Sequence, residues 1–296
     1  TVQMYSAESP LFYHFVAACV CAALLVTGHR RGTVNLAGSS LATVLEAVFG
    51  IFGIILLSAI RGDAQGSTFF LLGCLLVALS SSIMIIQIQQ LFALIGTTRF
   101  KGALIAGALI EVVLFAIYPF VFERLEALTA ALIGVRGILY WLAQRDSTQP
   151  DQSPDATERG HVPTSIMVGI AALVAGWSFL QTQIYMEDAS TVTAIVVVTK
   201  LGALGVFCYY MWSAHDLGFA SAGKVICLAV SCAIALHLGG MNARPCAAVM
   251  DIGYSLFELV AYLALAELSS RTNTTNVNII AGFYLVVNIA YLLGGG

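Results

Sequence analysis

Charge is what this sequence has least of. Asp, Glu, Lys and Arg together make up 10% of 296 residues, 13 basic against 16 acidic. A soluble domain carries about 25% charged residues, so this poverty excludes a soluble enzyme or a nucleic-acid module for these residues. The seven cysteines (19, 21, 74, 208, 227, 232, 246) all lie in apolar segments and none forms a CxxC. They read as small buried hydrophobes rather than metal ligands. No nucleophile–base constellation, zinc spacing, Walker loop or dinucleotide fingerprint occurs, and His14, His29, His161, His215 and His237 are scattered. Catalysis, a metal and a cofactor therefore have no support. An initiating Met is also missing: the chain opens on Thr1 without a charged region and cleavage site before its first apolar run. That leads us to expect a chain incomplete at its front.

Apolar residues are abundant instead, at 59% with a mean hydropathy of +0.91. Runs of about 20 apolar residues recur, the length that crosses a hydrocarbon core of roughly 30 Å. They predict an all-α, multi-pass membrane protein with ten spans, near 11–28, 36–60, 68–96, 102–122, 125–143, 164–185, 189–213, 219–240, 245–268 and 276–295. Between the fifth and sixth lies QRDSTQPDQSPDATERGHVP, 144–163. The expected organisation is thus a helical half, 1–143, a polar linker, 144–163, and a second half, 164–296. Two halves of similar size suggest the duplicated plan common among secondary transporters.

Basic residues in the loops set the orientation. If the first span runs inward, Arg30, Arg31, Arg99, Lys101, Arg145, Arg159, Lys224 and Arg271 face the cytoplasm. Only Arg61, Arg124 and Arg244 then lie outside, with Arg136 and Lys200 within spans. A start outside is unlike ten-helix drug/metabolite transporters, whose ends are both cytoplasmic. It suits helices two to eleven of a twelve-helix chain, which places the linker inside between the sixth and seventh helices.

That plan is the one of the major facilitator superfamily. The turn TGHRRGTVNL (27–36) is similar to the facilitator signature in Gly28, Arg30, Arg31 and Gly32 but lacks its acidic residue. Two longer stretches, 79–119 and 251–296, resemble the membrane part of bacterial LuxR-type transcriptional regulators, where a facilitator-like sensor precedes a helix-turn-helix. There a helix ends in an acidic, a small and a basic residue, as AELSSR (266–271) does, and a later aromatic helix ends as LLG (292–294) does. The resemblance implies a bacterial inner-membrane protein in which a small-molecule ligand regulates transcription. DNA would be bound only through a C-terminal domain missing from these residues, and a homodimer is expected if that domain follows, since such domains read paired half-sites.

Ionisable residues at membrane depth are costly, about 2.5–3.5 kcal/mol on insertion scales, and so mark candidate sites. Glu46, Glu111, Asp251, Glu258, Arg136 and Lys200 qualify, with His237 near an outer helix end. Asp251, Tyr254, Glu258 and Tyr262 fall at i, i+3, i+7 and i+11, one face of the ninth span. The resemblance implies that this helix borders a central cavity, making these four ligand contacts, with helix-to-helix ties as the alternative. Gln87 and Gln181 could also bind a ligand, although interhelical bonding suits them better. Lys200 and Glu111 sit equally deep, on what would be helices eight and five, which abut in facilitators. They are expected to pair and to couple ligand binding to a conformational change. Glu46 and Arg136 fall on peripheral helices and read as structural. A central lysine also suits a retinal Schiff base, but three spans follow Lys200, whereas retinal proteins carry that lysine on their last helix.

Three readings follow. The first is a membrane-embedded small-molecule sensor; the second, a proton-coupled secondary transporter of a small organic solute; the third, a subunit of a larger membrane complex. A ten-helix drug/metabolite transporter fits the basic first loop poorly. The acidic stripe suggests a cationic or polyhydroxylated aromatic ligand, and Lys200 with Arg136 leaves an anion open.

Overall fold

The computed structural model describes residues 9–31, 36–59, 68–95, 97–117, 125–146, 164–184, 189–212, 219–241, 243–271 and 277–295. Among them the regular structure is helical throughout. It comprises α1 (Ser9–Arg31), α2 (Ser40–Ala59), α3 (Thr68–Ile95), α4 (Thr97–Ile117), α5 (Leu125–Asp146), α6 (Thr164–Ile184), α7 (Ala189–Trp212), α8 (Phe219–Leu238), α9 (Ala243–Arg271) and α10 (Val277–Gly295). A helix satisfies its backbone internally, which is what an apolar solvent demands. Among the described residues five segments are long and apolar enough to cross a membrane: Leu11–Gly28, Ser40–Ser58, Thr68–Phe92, Ala248–Ala266 and Asn278–Gly295. Shorter apolar stretches occupy α5 to α8. Large side chains such as Phe69, Ile110, Ile138, Val198 and Leu228 are exposed. Apolar surface this extensive is foreign to a soluble monomer and natural against lipid tails. The cysteines divide accordingly. Cys21, Cys74 and Cys246 are buried, whereas Cys19, Cys227 and Cys232 are exposed and correct the expectation that all seven are interior.

Helix ends depart from the hydropathy pattern where specific chemistry intervenes. The second span, expected from residue 36, begins at Ser40 because residues 36–39 form a turn. There the Ser39 N–H donates to the Leu36 carbonyl at 3.1 Å, and the Ser39 hydroxyl caps α2 by accepting from the Ala42 N–H at 3.2 Å. The fourth helix, expected over 102–122, is described from Thr97 to Ile117, and residues 118–122 lie outside the described residues. The eighth closes at Leu238 with the Gly240 N–H bonded to the His237 carbonyl and the Met241 N–H to the Leu236 carbonyl. Gly240, at φ 78°, takes the left-handed position that this C-terminal motif needs.

The chain packs as two units, each discontinuous in sequence, which cut across the sequence halves 1–143 and 164–296. The first contains Thr1–Leu94, Glu123–Met167 and Ala266–Ile289, hence α1, α2, α3, α5 and most of α10. The second contains Ile95–Phe122, Val168–Leu265 and Ala290–Gly296, hence α4, α7, α8 and most of α6 and α9.

In the first unit α2 lies along α5, and three polar side chains hold the 36–39 turn. Gln90 Oε1 accepts the Leu36 and Ala37 N–H groups, each at 2.9 Å. Gln87 Nε2 donates to the Leu36 carbonyl and to Thr43 Oγ1, each at 3.2 Å. The Tyr140 hydroxyl of α5 is shared between the carbonyls of Ala37 and Gln87, at 3.3 and 3.2 Å. Cys21, Ile86, Ile280 and Ala281 form an apolar layer joining α1, α3 and α10.

In the second unit α4 lies along α7. The Ser178 hydroxyl of α6 donates to the Tyr291 carbonyl at 2.9 Å. Near that bond the backbones of α6 and α10 approach so closely that a Cβ on Gly294 would collide with the backbone of Ala175.

Candidate functional site

The strongest candidate lies in the second unit, around Lys200 at mid-α7. Its Nζ donates to Glu111 Oε1 of α4 at 2.7 Å. Glu258 Oε2 of α9 stands 4.0 Å from the same Nζ, close enough for charge attraction but beyond a hydrogen bond. Asp251, two turns before Glu258, is within electrostatic reach of both Lys200 and Glu258. Two helices thus send carboxylates to one ammonium on a third. Lone charges at membrane depth gain most from such pairing, because no bulk water screens them. The Glu111 carboxylate remains about half exposed, whereas Lys200 is 16% exposed.

Helical periodicity brings the α9 residues together. Asp251, Tyr254, Glu258 and Tyr262 share a face, and Tyr254 is close enough to Glu258 and Tyr262 for electrostatic interaction. Tyr254 also lies flat on Trp177 of α6, with ring centroids 3.8 Å apart and planes 12° from parallel. Tyr291 of α10 meets the indole edge-on at 5.5 Å. One end of the stripe therefore abuts an aromatic wall, while Glu258 faces the lysine. The Trp177 indole N–H is buried and interacts with the Asp251 carboxylate. Chemically, the site offers surplus negative charge beside a stack of rings, a surface suited to a ligand bearing donors.

The sequence names two further ligand residues. Gln181 lies on α6, but its side chain falls outside the described residues. Gln87 belongs to the first unit, is fully buried, and ties α3 to the turn before α2. Its geometry is interhelical.

Sequence reasoning overlooked two features. Trp177 is not singled out by the sequence, although its place four residues before Gln181 sets both on one helix face. Glu46 and Arg136, read from the sequence as structural without being matched to each other, form an ion pair joining α2 to α5. The Ser80 hydroxyl donates to the same Glu46 oxygen at 3.4 Å. An unmatched acid and an unmatched base in neighbouring apolar helices were the available signal.

Among the described residues no group of three or more His, Cys, Asp or Glu side chains converges to hold a metal. The sequence matches no known protein-family profile and no curated protein.

Proposed function

We propose that this chain is a membrane-embedded small-molecule sensor with a facilitator-like fold, whose ligand acts on the ion-pair cluster of Lys200, Glu111 and Glu258. The observation that carries the reading is one ammonium shared by carboxylates from α4 and α9. A ligand competing for Glu258 would alter what holds three helices together, and a ligand shifts an equilibrium only through such differential contacts.

The helix partition supports a twelve-helix plan. With one helix added at each end, a six-helix repeat relates α1 to α7, α2 to α8, α3 to α9 and α10 to α4. The first unit holds α1, α2, α3 and α10, and the second holds their four counterparts. α5 and α6 are then the helices whose counterparts lie outside this sequence. A five-helix repeat, as in drug/metabolite transporters, would carry α2 to α7 and α5 to α10, yet α5 and α10 share a unit while α2 and α7 do not.

A proton-coupled transporter is the second reading, favoured by the excess of carboxylates over the lysine. One experiment separates them. The chain in lipid nanodiscs is screened for small molecules that raise its unfolding temperature, and the hits are then assayed for uptake in proteoliposomes. Stabilising compounds that are not transported support sensing. Uptake driven by a proton gradient supports transport, and the absence of any stabilising compound contradicts both.

A further inference from the structure

A second polar locus lies in the first unit, independent of the lysine cluster. Three pairings set the register of α1, α3 and α10. At one end Tyr13 bonds Ser81 at 2.6 Å and His14 Nδ1 donates to Asn288 Oδ1 at 2.8 Å. In the middle Cys21 shares the apolar layer with Ile86, Ile280 and Ala281. At the far end Gly28 packs against the Asn278 amide so tightly that no Cβ would fit. α1 and α3 therefore run parallel, and α10 runs against both.

Gln89 follows Ile86 by one turn, toward the end where Gly28 meets Asn278. It is 1% exposed, and neither its Nε2 nor its Oε1 has a hydrogen-bond partner. Asn278 Oδ1 is likewise buried and unpaired. The neighbouring glutamines differ. Gln87 lies about 160° round the helix from Gln89 at 3.6 residues per turn, and both Gln87 and Gln90 engage the 36–39 turn. A buried amide left empty at both ends is rare and calls for an occupant.

We propose that a small neutral molecule binds at Gln89, at the Gly28–Asn278 end of the α1/α3/α10 seam. The orphan groups dictate its chemistry: one acceptor for Gln89 Nε2 and donors for the carbonyl oxygens of Gln89 and Asn278. Water and a primary carboxamide both meet that requirement. Charged ligands do not, since no ionisable side chain belongs to the set.

The test is thermal unfolding of the full chain in nanodiscs, comparing wild type with Gln89→Leu and Gln89→Met, with acetamide as the carboxamide probe. X-ray-generated hydroxyl-radical labelling of Cys21 serves as the probe of adjacent bound water. Both variants are expected to melt lower by about 2–4 °C or more, since each removes the occupant's main partner. If acetamide raises the wild-type midpoint and leaves the variants unmoved, the occupant is a carboxamide. If acetamide has no effect but Cys21 is labelled in wild type and at least threefold less in the variants, it is water. A variant that melts at or above wild type overturns the proposal. So does a lowered midpoint with neither response, which would report packing alone.

Discussion

At the scale of single residues, the membrane interior makes every charge consequential, and the described residues include two ion-paired groups, one in each unit. Lys200 is shared between Glu111 and Glu258, whereas Glu46 is held by Arg136 and Ser80. The contrast is one of access. Glu46 is 1% exposed, while Glu111 and Glu258 are 49% and 35% exposed. A sealed carboxylate is suited to holding helices together; an accessible one is suited to exchanging partners. Removing the partner of a buried charge strands that charge, at a cost of about 3–5 kcal/mol, whereas replacing both by apolar residues is often neutral. Arg136→Leu is therefore expected to destabilise strongly and the double variant Glu46→Leu/Arg136→Leu to recover most of the loss, read as a thermal double-mutant cycle. Equal loss in the single and double variants would contradict this. Such pairing was legible in principle for both clusters, because unmatched charges in apolar helices must find each other. For Lys200 and Glu111 the pairing follows from their equal mid-helix depth, whereas Glu46 and Arg136 read only as structural because both fall on helices expected to be peripheral.

At the scale of elements, hydropathy alone carries the ten helices, since a run of about 20 apolar residues has few other uses. Their ends are another matter. The turn before α2 depends on Gln87, Gln90 and Tyr140, which reach it across 51 to 103 residues of sequence, and no local pattern announces such bonds. The approach of α10 to α6 was also illegible, because a glycine near a helix end has several ordinary explanations. Here it has a specific one, the Ala175 backbone lying where a Cβ would stand. Overpacking in a closed core usually costs about 1–3 kcal/mol, and here the obstacle is backbone, which yields less readily than a side chain. Gly294→Ala is expected to exceed that range and to lower the unfolding temperature more than Gly282→Ala, whose added methyl would be in ordinary contact with Leu25 at 3.9 Å. Equal effects would refute the close packing.

At the scale of the whole molecule, loop charge and helix partition address different questions. The first concerns orientation. With native cysteines replaced, a membrane-impermeant maleimide applied to intact cells is expected to label Arg244→Cys and to leave Arg271→Cys unmodified; the reverse pattern would invert the topology. The second concerns the repeat, which hydropathy suggests as two groups of five and which we propose is part of two groups of six. The fold class was thus legible in composition, and half of the site in helical periodicity. The aromatic wall was not, because tryptophan and tyrosine serve so many roles in a membrane that their pairing emerges only from packing. The central claim is that the lysine cluster is where a ligand acts. Its most direct test is Lys200→Met in nanodiscs, measured against the compounds that stabilise wild type. Our account predicts that their stabilisation is lost, or reduced at least tenfold in potency, in a variant that still folds. An unchanged response at unchanged stability would contradict it.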